Sequence, residues 1–461
     1  MSATSVGSIV NAVLYEGYML YPYRASSVKN RQRWTFGGVY PQAYSDAHRG
    51  AEPWLIQTQC LVRGGADTVV SAAPGCLHLV DREVGQFSEP LPQWQTQWPV
   101  AEPAYRSVEV LTIDGQRFYA WQEAIERQVA VEALRIGESG SAQKITSFGF
   151  SGQRELEPLR NARGAVAGVL VRTRRSIEGT VEMRAERVSG DVFRITTRLM
   201  NRTPIHNAGD ATRDAATLRA LVSCHMVLTV SGGRFMSSID PPSELAAAAA
   251  ECENIGVWPV LAGDEHACDT MLASPIILYD FPQVAPESPG DLFDGTEIDE
   301  ILTLRILTMT DQEKCEMAAV DERSRALLER TEKLTPQQLQ QLHGALRSPA
   351  ATSPFSDSAG APWESLDSQP RLAFLRVAGI ELRVGDQVRL RPRGNADIFD
   401  LALADKVATI ESLERDFEDR VHIAVTLDDD PGRDLGLARM PGHRFFFAPD
   451  EVEPLAREAR K

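Results

Sequence analysis

The amino-acid sequence predicts an α+β protein. An antiparallel-sheet-rich domain spans 1–295, a helical segment at 296–347 packs on it, a linker covers 348–370, and a small β-barrel occupies 371–461. Three observations carry this reading. Strict period-2 alternation marks two half-buried strands near the middle of the chain. Sixteen of the 23 residues at 348–370 are Ser, Pro, Ala, Gly or Thr, too few large apolar groups to offset the entropy of ordering. Beyond them come short, closely spaced strand-like runs with Asp and Gly turns. At 461 residues the chain also exceeds one ordinary core, so two or three domains are expected.

The sheet domain is read from its hairpin outward. Val181, Met183 and Ala185 alternate with Glu182, Arg184 and Glu186; Phe193, Ile195, Thr197 and Leu199 alternate with Arg194, Thr196 and Arg198. Ser189-Gly190 between them supplies the turn. The run 165–174 is expected to pair beside this hairpin, and 218–230 to continue the sheet. An alanine-rich helix is expected from Pro241 or Ser243 to just before Gly256. In the helical segment, Thr310 and Glu313 have capping-box spacing, in which a hydroxyl caps one N–H and a carboxylate reaches back to another. Thr335-Pro336-Gln337-Gln338 repeats that spacing with proline at the first helical position. Phe355 and Trp363 are the linker's aromatics, expected to fold back on a neighbouring domain or to dock into a partner. No internal repeat of fixed period is present. After the linker, 385–393 (GDQVRLRPR), 406–417, 420–430 and 443–455 read as four strands.

Composition excludes several classes. Forty-eight basic against 64 acidic residues leave a net charge of −16, unfavourable for general binding to a nucleic-acid backbone. The N-terminus has no basic region before its apolar run, which Glu16 interrupts, so no signal peptide is expected. No segment approaches the roughly 20 apolar residues that span a bilayer. Six cysteines are sparse and unpatterned, unlike a secreted disulfide scaffold. The expectation is a cytoplasmic protein with reduced thiols and no cofactor. The phosphate-binding G-x-x-x-x-G-K-[ST], the dinucleotide G-x-G-x-x-G, H-E-x-x-H and G-x-S-x-G are all missing.

Three groups of residues are candidates for chemistry. Arg24, Lys29, Arg31 and Arg33 lie within ten residues, among Tyr15, Tyr18, Tyr21, Tyr23, Trp34 and Tyr40. Tyrosine, tryptophan and arginine are enriched at interface hot spots, and arginine forks hold carboxylates or phosphates. Arg24, Lys29, Arg31, Arg33 and Trp34 are therefore the candidate partner- or anion-binding set. The competing reading is a packed strand whose basic residues are solvated or paired with carboxylates. The second group is Cys252, His266 and Cys268, a three-ligand metal set without the short C-x₂-C or H-x₃-H spacing that pre-positions zinc ligands; buried packing is the competing account. Cys224 and His225 are neighbours on a strand and are expected on opposite faces. Third come the acidic clusters: Asp291, Asp294, Glu297, Asp299 and Glu300 at a helix start, and Asp428–Asp430 at a turn that lacks a calcium loop.

The Gly-Asp-x-Val start at Gly385 and the strands that follow resemble SH3-like barrels, over about 85 residues. Such barrels most often serve as interaction modules. Segments 14–41, 274–314 and 428–455 together resemble an uncharacterised bacterial family associated with gene clusters for actinobacterial-type, high-affinity nickel–iron hydrogenases. The resemblance implies an accessory role in maturing, assembling or docking the hydrogenase, with a hydrogenase subunit or maturation factor as partner. It brings no catalytic residues. The alternative function is metal handling, or a metalloenzyme, through Cys252, His266 and Cys268.

Overall fold

One strand of 37 residues, β1 (Leu55–Leu91), organises the first half of the chain in the computed structural model. The structure describes residues 2–25, 27–31, 33–34, 36–95, 102–136, 141–284, 288, 290–293, 299–335, 338, 372–377, 379–392, 403–415, 420–429 and 444–455. The expected linker with Phe355 and Trp363, and the acidic residues Asp294, Glu297 and Asp430, lie outside that set. Two units emerge: one comprises Met1–Tyr18, Trp34–Gly295 and Ala319–Asp321, the other Met19–Arg33, Thr296–Ala318 and Glu322–Lys461. The helical segment thus groups mainly with the C-terminal part.

In the first unit β1 is followed by β2 (Arg106–Val108), β3 (Val110–Ile113), β4 (Gln116–Tyr119), β5 (Trp121–Gln128), β6 (Leu134–Arg135), β7 (Ser141–Phe150), β8 (Gln153–Arg160), β9 (Val166–Arg174), β10 (Ile177–Ser189), β11 (Val192–Asn201), β12 (Leu221–Phe235), β13 (Trp258–Ala262) and β14 (Thr270–Ser274). The main sheet runs β13-β14-β12-β1-β11-β10-β7, all antiparallel. β1 changes partners along its length. Its start pairs β11, its middle β12 and β5, and its end β9 and β2. Register shifts at Gly64/Val69 and Gly75/Leu77 accompany those changes. Gly75 is required there, because a Cβ would meet the His225 imidazole at 2.5 Å.

The predicted hairpin forms, with Val181 opposite Leu199 and Met183 opposite Thr197. The expected neighbour does not. Val166–Arg174 pairs β1 and β8, and the strand beside β10 is β7. Val169, Leu170 and Val171 are buried in succession, so β9 is covered on both faces, as an interior strand is. Cys224 and His225 are both buried as well. The positive φ at Ser223 (51°) breaks the alternation, and Cys224 shares its core cluster with Leu221 and Met226.

Among the helices are α1 (Ser2–Tyr15), α2 (Val28–Arg31), α3 (Gln42–Ala47), α4 (Arg213–Thr217) and α5 (Ala246–Ala250). α1 presents Val6, Ile9, Val10 and Val13, one face at i, i+3, i+4 and i+7, to Val260, Ala262 and Leu272. The alanine-rich helix forms from Ser243 as a 3₁₀ turn that continues into α5 but ends at Ala250, short of the expected end before Gly256.

The second unit carries α6 (Asp299–Leu307), α7 (Asp311–Ala318) and α8 (Glu322–Glu332). Both predicted caps form. Thr310 N–H donates to Glu313 at 2.9 Å while Glu313 N–H donates to the Thr310 hydroxyl at 3.3 Å, and Thr335 and Gln338 do the same. Its strands are β15 (Leu375–Val377), β16 (Ile380–Leu382), β17 (Gln387–Leu390), β18 (Val407–Arg415), β19 (Val421–Leu427), β20 (Phe445–Phe447) and β21 (Val452–Pro454). Five of them form an antiparallel sheet in the order β20-β19-β18-β17-β21, and β15 pairs β16. Val388, Leu390, Ile410, Leu413, Ile423 and Val425 fill a core of its own. Among the described residues no pairing joins β20 to β21, so the sheet is not closed. No helix of the described residues is long and apolar enough to cross a membrane.

Candidate functional site

The basic-aromatic stretch folds inward. Asn30 staples its loop: the side-chain oxygen accepts from Leu20 N–H at 2.7 Å, and the amide donates to the Leu20 and Arg24 carbonyls. Arg24, only 5% exposed, forks onto Glu316 at 2.6 and 2.8 Å, with Glu313 at 3.9 Å. The Tyr21 ring lies under Arg305, 4.9 Å from its guanidinium. Lys29 is half-buried on α2; the side chain of Arg31 lies outside the described set. In the first unit, Trp34 donates Nε1–H to Gln122 at 2.9 Å and packs edge-on to Tyr18. Tyr18 and Trp121 both donate to Asp321, at 2.7 and 3.1 Å. Arg33 and Trp34 are each 4% exposed. In this conformation Arg24, Arg33 and Trp34 are packed. The physical reason is that the acidic chain supplies Arg24 with carboxylates of its own.

The sulfur candidates have separate surroundings. Cys252 packs with Leu61, Val192, Met236 and Leu245. Burial raises its thiol above the ordinary range, with Arg194 opposing. Burial, and then the neighbouring Cys252, raise the Cys60 thiol too. Cys268 points its thiol at the Glu265 carbonyl, 3.3 Å away; His266 is exposed, its N–H bonded to Asp264. A thiol held protonated is a poor metal ligand. Among the described residues no three His, Cys, Asp or Glu side chains are grouped to hold a metal ion. The Cys252, His266 and Cys268 reading therefore gains no geometric support.

A different surface stands out. After β14 the chain turns and runs back along β13: Ser274 pairs Trp258, while Phe281 N–H donates to the Leu261 carbonyl at 2.7 Å. Asp280 latches this return. One carboxylate oxygen accepts from Leu261 N–H at 2.8 Å and the other from the Ser237 hydroxyl at 2.5 Å. Leu278 turns inward against the α1 contact. Its neighbours turn outward, Ile277 at 76% and Tyr279 at 85% exposed. Ile239, two residues past Ser237, and Trp258, at the start of β13, are exposed as well. Large exposed apolar groups on a firmly hydrogen-bonded edge make this a candidate interaction surface. The sequence signal was the alternation Ile277-Leu278-Tyr279, with no polar residue to identify an outer face.

No protein-family model, curated protein or solved structure matches this chain.

Proposed function

We propose that this chain is a non-catalytic accessory protein that works by docking onto another protein through the surface formed by Ile239, Trp258, Ile277 and Tyr279. The observation that supports the reading is the exposure of Tyr279 and Ile277 on a return segment fixed by both oxygens of Asp280. An aromatic anchor on a pre-ordered backbone loses little entropy on binding. The partner favoured by the sequence resemblance is a subunit or maturation factor of a nickel–iron hydrogenase, in the cytoplasm. The C-terminal sheet serves as a second interaction module of SH3-like kind. What supports that reading is that its last strand lies beside its first after a four-strand meander, with a 3₁₀ turn at Pro449–Glu451 before it.

Co-purification with tagged hydrogenase subunits tests this. The double change Ile277→Ser and Tyr279→Ser is expected to weaken capture by at least about tenfold, as loss of a central anchor does, while leaving thermal stability unchanged. Equal capture by parent and variant rules the surface out; no capture in cells that make the hydrogenase rules out that partner.

A further inference from the structure

The main sheet ends in β13 on one side and β7 on the other. A strand at the end of a sheet exposes a row of unpaired N–H and C=O groups, and proteins blunt such edges with charge, proline, short strands or a covering segment. β13 carries Pro259, and the return segment lies along it through Asp280 and Phe281. β5, which pairs only β1 among the described residues, carries Glu123, Glu126 and Arg127. β8, which pairs only β9, carries Pro158 among Arg154, Glu155 and Glu157. β7 has none of these devices. It is ten residues long, SAQKITSFGF, with no proline and a single charge. Among the described residues, Ala142–Phe150 pair β10 alone, and no backbone hydrogen bond reaches their other edge.

Both faces of β7 run out to that open edge. Its inward row includes Phe148 and Phe150, whose rings lie 5.4 Å apart and pack against the core cluster that holds Ile177 and Val181 of β10. Those two β10 residues are fully buried, whereas the phenylalanines stay half-buried. The core thus reaches the edge with its last row incompletely covered. The one charge, Lys144, lies on this inward row and pairs with Glu132. The outward row, Ser141, Gln143, Ile145, Ser147 and Gly149, is exposed and holds no charge, and Ile145 is 61% exposed.

An open edge takes an extended strand, and charge selects which one. A charged peptide finds no counter-charge on the outward row. A second copy of β7 sets neutral groups against neutral groups, and each Lys144 brings its own carboxylate. A twofold axis at Ile145 makes the pair antiparallel and self-complementary. It matches residues 141–149 over roughly 30 Å, sets the two Ile145 side chains against each other and adds cover to the phenylalanines. We propose that β7 is a self-association edge, through which two copies of this chain join their sheets into one antiparallel sheet. β7 and the return segment are at opposite ends of the main sheet, so this pairing stands whether or not that segment docks a partner.

The test is sedimentation velocity of the full chain at roughly 1 to 100 µM, a range suited to an edge pairing smaller than an obligate interface. A monomer–dimer equilibrium is expected. Ile145→Lys combined with Ser147→Lys, both on the exposed row, places like charges opposite each other whether the axis passes Ile145 or Thr146. It should raise the dimer dissociation constant at least about tenfold. Ile145→Glu combined with Ser147→Glu should do the same alone. An equimolar mixture of the Lys and Glu variants should associate again, which a damaged strand would not do. Monomer at every concentration, a dimer unaffected by the paired lysines, or a mixture that stays monomeric overturns the proposal.

Discussion

The guanidinium of Arg24 has carboxylates for neighbours and almost no water. Breaking a buried pair from one side leaves charge uncompensated. Arg24→Met is expected to cost about 3–5 kcal/mol in chemical denaturation, and adding Glu316→Gln to it should recover much of that loss. His78 gives a second residue-scale prediction. Burial first, then the charges of Arg127 and Arg174, depress its imidazole from 6.5 to about 4 against the Arg175 carbonyl bond. The unfolded chain therefore takes up a proton that the folded chain refuses. Stability from this group is complete above about pH 6.5 and falls as pH drops from there towards 4, by on the order of 2–3 kcal/mol. A His78→Gln variant should lose that slope in denaturation curves recorded between pH 7 and 4.5. At this scale composition was a poor guide. Aromatics and arginines suit an exposed anchor and a buried ion pair equally, and the partner of Arg24 is 292 residues away.

Elements were legible where their pattern is local. The 181–199 hairpin and both capping boxes need only residues within a turn or two, and all three form. β1 was not read at all. It contains Gly64-Gly65 and Pro74-Gly75, signals that end strands elsewhere, and it survives them because its partners change at or near those positions. The parity of β12 failed at one residue, Ser223, whose left-handed backbone moves Leu221 rather than Val222 into the cluster with Cys224. The latch at Asp280 is an element-scale claim. Asp280→Ala removes acceptors from Leu261 N–H and the Ser237 hydroxyl, so about 2 kcal/mol should be lost. Hydrogen exchange at the Leu261 amide should accelerate while that of β10 and β11 does not. Uniform acceleration through the sheet would show instead that the return segment has no local autonomy.

At the scale of the whole molecule, the long run of the first unit ends at Gly295. The assignment of Met19–Arg33 to the second unit had no sequence signal, since it depends on long-range pairing. Residues 371–461 carry a separate core in which Val388, Leu390, Ile410 and Ile423 are wholly buried. Expressed alone, that fragment is expected to give dispersed amide resonances and one cooperative unfolding transition; a collapsed spectrum would make the C-terminal sheet dependent on the rest of its unit. Docking through the return segment is the central proposal for the whole molecule. Hydrogen-exchange mass spectrometry of the chain with and without purified nickel–iron hydrogenase examines this most directly. Slower exchange concentrated at 255–262 and 274–281 is the predicted result, and a complex that protects other segments while leaving these unchanged contradicts it.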